Sequence, residues 1–491
     1  MNTNSKSIII FTFFSFFILV SIHAQILNND FEISNDSIPK HPKDWKFINT
    51  NEAQFSLTSS TTSSGSKSFI VDLTNNTSNK NHYFSQVVKF QGKKLQRVLL
   101  TFYMKSDLDG TAGIWWQARD KNDMQIGFTN SGMQNQQVSN KTEWSKYTLL
   151  LTINEKCTQF IIGGYANGKG KVWFDNFKVE DIKLADTNPP KEVKAYLKAF
   201  TNIVKTHSLY KDSLNWKQID NDLKYLSKGI NSIDAVGSPK NYIINMLKEA
   251  GDNHSFIAPK IAFEKSQNSQ TSTSVPYSKL LDNNIGYINV PDFSSRNDSV
   301  KVKFATKIQG LIKSLDTEHT INGWVVDLRD NPGGNMHPML AGLGPLTGEG
   351  TSGYFISGKD KSSEAWFYKN GGFGVGHNIT TQVENPYVIK QSNPKIAVLI
   401  SSRTGSSGEM TAVAFIGKDN TTLFGQTSGG YTTTNQDFEL PNGDRVYLAS
   451  GFVADRNNVI YPKSLQPDVT VIEDGKDLDK TLEAALKWLQ E

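Results

Sequence analysis

The stretch Arg403-Thr-Gly-Ser-Ser-Gly-Glu-Met410 decides the reading of this chain. It follows an apolar run, Lys395-Ile-Ala-Val-Leu-Ile-Ser401, which predicts a buried strand. It leads into Met410-Thr-Ala-Val-Ala-Phe-Ile416, which predicts a helix. A serine on such a turn stands at a helix N-terminus, where free backbone N–H groups and the dipole favour negative charge. A nucleophilic hydroxyl and the oxyanion it creates need that environment.

A second stretch, Trp324-Val-Val-Asp-Leu-Arg-Asp-Asn-Pro-Gly-Gly334, is an apolar strand that ends in a charged turn. Its two glycines allow close backbone approach and offer unhindered N–H donors. Two such strand-to-turn elements bring a serine and an oxyanion hole within reach of each other.

With these residues the chain resembles the C-terminal processing peptidase family of serine peptidases, in the branch that includes tricorn protease and the retinoid-binding-protein-like modules. The family's Asp-Leu-Arg-x-Asn-x-Gly-Gly pattern is matched from Asp327 to Gly334, and its Ser-x-x-Glu pattern by Ser406 and Glu409. Gly425-Gln-Thr-Ser-Gly-Gly430 and Gln466-Pro-Asp-Val469 are similar to family segments too. The resemblance covers roughly residues 195–491 and implies Ser406 as nucleophile. The backbone N–H of Ser407 and one from Gly333 or Gly334 are the implied oxyanion donors.

Serine needs a base at neutral pH. The lysine that some of the family place after a Gly-x-x-Thr-x-Gly segment is missing here, where the chain reads Gly430-Tyr431-Thr432. Ala250-Gly-Asp-Asn-His-Ser-Phe256 resembles the Gly-Asp-x-His-Ser pattern of the histidine-dependent branch, which implies His254 as base. That branch carries an orienting glutamate shortly before Pro-Asp. None appears in Val459-Ile-Tyr-Pro-Lys-Ser-Leu-Gln-Pro-Asp468, so the nearest upstream carboxylate, Asp455, is the candidate orienter, with Tyr461, Asn253 or a water as alternatives. Asp327 and Arg329 are expected to be an ion pair that supports the turn, because arginine does not readily give up its proton. Glu409 is expected to cap its helix.

The ends add context. Lys6 and the apolar run Ile8–Val20 predict a secretory signal over residues 1–24, with cleavage after Ala24. Export to the periplasm or the outside of the cell follows, and no membrane association is expected after signal removal. The only cysteine is Cys157, so no internal disulfide can form; it reads as a buried small residue. The formal charge is only +4, from 52 Lys and Arg against 48 Asp and Glu, which gives no argument for nucleic acid. No catalytic cofactor is expected.

Residues 25–183 hold many short alternating runs between Gly, Asn, Asp and Ser turns, which predicts an all-β sandwich. Asn29-Asp-Phe-Glu32, Asp44-Trp45 and Trp173-Phe-Asp-Asn-Phe177 resemble carbohydrate-binding, galactose-binding-like jelly rolls. That resemblance implies a glycan partner, with Trp45, Trp115, Trp116, Trp144 and Trp173 as stacking candidates that compete with plain core roles. It also implies a structural calcium held by Glu32 and Asp175, since hard oxygen ligands suit that ion. A spacer, 184–190, precedes a helical part, 191–274. The peptidase core, 275–491, is expected to be α/β or α+β with a mixed sheet, and it leaves no room between His254 and the first core strand for a PDZ module. The chain is read as an exported serine peptidase acting on a peptide or protein. The alternatives are an esterase acting on a glycan-linked acyl group and a non-catalytic binding protein that keeps the fold.

Overall fold

The structure, a computed structural model, describes residues 25–78, 80–134, 136–182, 185–268, 274–472 and 479–491. The predicted signal segment lies outside the described residues. The chain divides into two compact units: one ends at Ile182 and excludes Ser131–Asn135, and the other contains that stretch with Lys183–Glu491.

Among the described residues, the first unit contains nine strands joined in one hydrogen-bonded network. Two of them, Gln96–Arg119 and Gln159–Ile182, run antiparallel along nearly their whole length, from Arg97 opposite Ile182 to Arg119 opposite Gln159. Alternation sends one set of side chains inward. Trp116 is fully buried, whereas its neighbour Trp115 stands half-exposed on the other face. The core is strongly aromatic: the Phe31 ring lies 5.1 Å from both Trp45 and Phe69. The segment that carries Phe31 is fastened to the last strand by Phe177 N–H donating to Asn29 O at 2.8 Å. Cys157 is buried, and burial pushes its thiol up to about 12, so it is chemically quiet at neutral pH.

The second unit opens with three helices, Lys191–His207, Trp216–Leu226 and Gly237–Glu249. Their buried stripes, Val193, Leu197, Phe200 and Val204 on the first and Ile219, Leu223 and Leu226 on the second, follow the helical period.

Two sheets follow. The six-stranded one runs in the order Tyr277–Leu281, Ile285–Asn289, Gly323–Asp327, Ile396–Ile400, Thr421–Gly425, Val469–Thr470. Its first pair is antiparallel and the rest are parallel. Strands Gly323–Asp327 and Ile396–Ile400 are buried at every position, which is why they read as unbroken apolar runs. Helix Asp298–Glu318 makes the crossover between two of the parallel strands. The second, eight-stranded sheet is antiparallel throughout; the turn signal Asn442-Gly443 marks its hairpin Thr433–Glu439 and Arg445–Asp455, while its other strands carry no comparable signal.

Parallel strands deliver their following loops to one edge of the sheet, where ligands of open α/β sheets bind. Here the loops after Asn289, Asp327, Ile400 and Gly425 all leave from that edge. They carry Phe293, Gly333–Gly334, Ser406 and Tyr431.

The turn after Gly323–Asp327 is braced by charge. Arg329 donates to Asp327 Oδ2 at 2.6 Å and to Asp479 Oδ1 at 2.6 Å, and Tyr287 donates to Asp327 Oδ2 at 2.7 Å. These two carboxylates hold the guanidinium charged, well above its ordinary range, against the opposing effect of burial. The expected turn-supporting role of Asp327 and Arg329 is what the geometry shows.

Candidate active site

Ser406 is the residue on which the loops converge. Its backbone sits at φ 49° and ψ −119°, a left-handed region that costs a non-glycine residue roughly 1–3 kcal/mol. Neighbouring contacts hold it there. Its N–H donates to Glu409 Oε2 at 2.8 Å, and its carbonyl accepts from Met410 N at 3.0 Å.

Glu409 has no exposed surface. Beyond Ser406 N–H it accepts from Gly430 N at 2.9 Å, Tyr431 N at 2.9 Å and the Ser428 hydroxyl. Burial pushes its carboxyl up, and these donors offset part of the rise. Four donors on two oxygens suit an ionised carboxylate, which can only accept. Glu409 thus does more than cap a helix: it joins the serine turn to the loop 428–431.

The glycine pair lies directly against this turn. A Cβ on Gly333, at φ 118°, would fall 2.8 Å from Ser406 Cβ; one on Gly334, at φ 108°, would fall 2.1 Å from Phe293 O. Both positions therefore require glycine. Gly333 N–H is already spent on Asn331 Oδ1 at 3.0 Å. Among the described residues, the N–H groups of Gly334 and Ser407 have no protein acceptor. Asn331, fully buried, also donates to the carbonyls of Val290 and Pro291 and accepts Gly405 N–H on its own carbonyl. It fixes three loops at once.

His254 arrives from the helical part. The fully enclosed Asp252 carboxylate accepts the N–H groups of His254 and Ser255, and Asn435 Nδ2 donates to His254 O at 3.1 Å. The ring is held at both nitrogens. Nε2 is 3.0 Å from Ser406 Oγ; Nδ1 is 3.0 Å from Thr433 O and 2.9 Å from Thr433 Oγ1. A carbonyl only accepts, so Nδ1 carries the proton and Nε2 presents its lone pair to the serine hydroxyl. Burial lowers the imidazole to about 4, with the Thr433 contact opposing that drop. The ring is neutral at pH 7 and able to take a proton.

Asp455 does not orient this ring. Its Oδ1 accepts from Asn457 N and Val459 N, and its Oδ2 from the Tyr461 hydroxyl at 2.9 Å. Its lone pairs are spent on its own turn, and the Nδ1 partner is Thr433. Tyr461 is committed to the same turn, and Asn253 is exposed without a bond to the ring. Thr433 was missed because its carbonyl does the work, and every residue type has one.

In the first unit, Glu32 accepts from Ser66 N at 2.7 Å, Ser66 Oγ and Lys67 N, and Asp175 accepts from Ser63 N at 3.0 Å and Asn176 N at 2.8 Å. N–H and O–H donors fill the lone pairs a cation would need, so this donor set does not fit calcium. No group of three His, Cys, Asp or Glu able to hold a metal occurs among the described residues.

Residues 284–471 match peptidase family S41. Over 317 residues the chain is 30% identical to the nisin-resistance protein of Lactococcus lactis subsp. lactis, covering 63% of this chain and 90% of that one. The chain belongs to peptidase family S41. It is a serine-type peptidase, a hydrolase similar to the C-terminal processing proteases, and its substrate is a peptide or protein. It is also 31% identical to the carboxy-terminal processing protease CtpA of Bacillus subtilis (strain 168), over 39% of this chain and 36% of that protein. A solved lipoprotein structure from Streptococcus agalactiae superposes with a TM-score of 0.50 at 25% identity, over 61% of this chain and 97% of that one. No helix among the described residues is long and apolar enough to cross a membrane.

The Glu409 contacts lead to a measurable expectation. Glu409→Gln turns one acceptor oxygen into a donor that faces two donors. Urea titration should show about 1–3 kcal/mol less stability, the cost of unmatched buried donors. An unchanged midpoint would mean that the turn finds other acceptors.

Proposed function

We propose that this is an exported serine peptidase in which Ser406 and His254 form the catalytic dyad. The observation that carries the reading is the Nε2 lone pair 3.0 Å from Ser406 Oγ, with Nδ1–H held by the Thr433 carbonyl. Ser406 attacks the peptide carbonyl as His254 takes its proton. The N–H groups of Ser407 and Gly334 receive the oxyanion, each worth about 2.7–4 kcal/mol of transition-state stabilisation. His254 then hands its proton to the leaving amine, and water releases the acyl-enzyme by the same route. Gly333, whose N–H is spent on Asn331, serves by letting the turn approach Ser406. Export is supported by the signal-like residues 1–24 and by the lipoprotein relative.

Ser406→Ala should abolish both turnover and labelling by a fluorophosphonate, while circular dichroism stays native. Ser407→Ala should keep labelling and lose far less turnover than Ser406→Ala, since its backbone N–H stays and only the hydroxyl that donates to Gly334 O at 2.9 Å is removed. Turnover by Ser406→Ala at the wild-type rate would end the assignment.

The pH profile follows from the buried imidazole. A base works only while neutral, and burial lowers His254 to about 4. Wild-type kcat/KM should therefore hold through pH 6.5 on acidification and fall only as the pH nears about 4. A midpoint at or above 6.5 would show that the imidazole is charged more readily than its surroundings imply.

The first unit is proposed as a jelly-roll accessory module that holds the enzyme on a glycan. Its support is one sheet face. Tyr83, 54% exposed, stands in register with Tyr165, and the neighbouring Trp115 ring packs against Gly163, where a Cβ would come 2.6 Å from two of its ring atoms. Flat aromatic surface is what sugar rings stack on. The full-length protein should bind a glycan array, and Trp115→Ala should remove that binding while peptide cleavage stays intact. No binding by the wild type would leave the face a packing surface.

A further inference from the structure

Tyr431 is an aromatic ring beside the dyad that the reaction above does not use. Its centroid is 5.5 Å from that of His254, with the planes tilted by 58°. It lies on two backbone faces that carry no side chain. A Cβ on Gly405, the residue before Ser406, would come 3.2 Å from Tyr431 Cδ2, and one on Gly429 would come 3.1 Å from the same atom. Either would crowd the ring. Its base is fixed, because Tyr431 N–H and Gly430 N–H both bind the buried Glu409 carboxylate. The residue is nevertheless 39% exposed, and its hydroxyl has no partner among the described residues.

A ring anchored at its base, with its Cδ2–Cε2 edge close against two glycines and the residue open to solvent, is a preformed wall. Rigid aromatic area of this kind binds apolar groups with little ordering cost. Its side of the dyad is informative. His254 gives its proton to the leaving amine, so that nitrogen must come within hydrogen-bond reach of Nε2. The side chain of the leaving residue begins two bonds farther on, at Cβ, close to the imidazole and within reach of the Tyr431 ring packed against it.

We propose that Tyr431 is a specificity residue that receives the substrate side chain on the leaving-group side of the scissile bond, and that this side chain is apolar or aromatic. The inference rests on the dyad reading. It goes beyond it by naming the substrate position and its chemistry.

The test uses the full chain and peptides that differ only at the residue after the scissile bond. Wild type should prefer Phe or Leu there over Ala. Tyr431→Ala should lower kcat/KM for the Phe peptide about tenfold or more, and leave the Ala peptide within about threefold. Tyr431→Phe should keep the wild-type preference. A loss equal on every peptide, with the acid limb moved up toward pH 6.5, would reduce the ring to a cover for the imidazole and overturn the proposal. So would no change at all, or a preference that shifts only at the residue before the scissile bond. Ser406→Ala separates the two levels: turnover by that variant defeats the dyad reading, whatever Tyr431 does.

Discussion

The buried carboxylate of Glu409 is the interaction on which the candidate site depends. Three residues after Ser406, it binds the N–H that starts the strained turn, the N–H groups of Gly430 and Tyr431, and the hydroxyl of Ser428. The Ser428 oxygen in turn accepts Leu465 N at 2.8 Å. One enclosed charge thus ties the strand-to-helix turn to the loop after Thr421–Gly425 and to the segment before Val469. Burying a carboxylate costs several kcal/mol, and hydrogen bonds to a charged group return about 1.5–3 kcal/mol each. The four donors return part of that cost, and through them the left-handed backbone at Ser406 is held without help from a glycine.

Much of this was legible in the sequence, for identifiable reasons. Strands Gly323–Asp327 and Ile396–Ile400 are covered on both faces, so apolar composition alone marks them. The turns that follow must place glycine and small residues at fixed offsets, so their spacing survives as a pattern. Ser406 and His254 could be paired from two such patterns, although 152 positions separate them. Beyond the hairpin that turns at Asn442-Gly443, the second sheet is hard to read because its strands lack clean alternation. Gly353 looks like a break in Gly350–Ser357, yet a Cβ there would meet the Trp366 ring at 2.3 Å. The glycine is a packing requirement imposed by a partner strand, and that partner cannot be read from the strand itself.

The error at Asp455 has a more general cause. The resemblance implies an orienting carboxylate shortly before Pro-Asp, and Asp455 is the nearest one upstream in the sequence. Whether a carboxylate is free depends on its own donors, and this one is consumed by Asn457, Val459 and Tyr461. The orienter in place, a backbone carbonyl, leaves no trace in residue identity. The same holds for Gly333, where the sequence shows an unhindered N–H but not the Asn331 side chain that occupies it.

A neutral orienter changes how the proposed chemistry is balanced. The Thr433 carbonyl selects the tautomer but brings no negative charge to steady the imidazolium formed during attack. The buried ring sits near 4 against an ordinary 6.5, so charging it costs roughly 3 kcal/mol more than in water. That is about the worth of one oxyanion donor. A weak base can therefore be tolerated where Ser407 and Gly334 both present free N–H groups to the developing charge, as the glycine turn against Ser406 allows. The low value also keeps the base neutral in acid, where an imidazole paired with a carboxylate would already be protonated. The missing acid thus shifts the demand from the base to the oxyanion donors, and it makes the rigid placement of those donors, through Asn331 and Glu409, the feature the reaction can least do without.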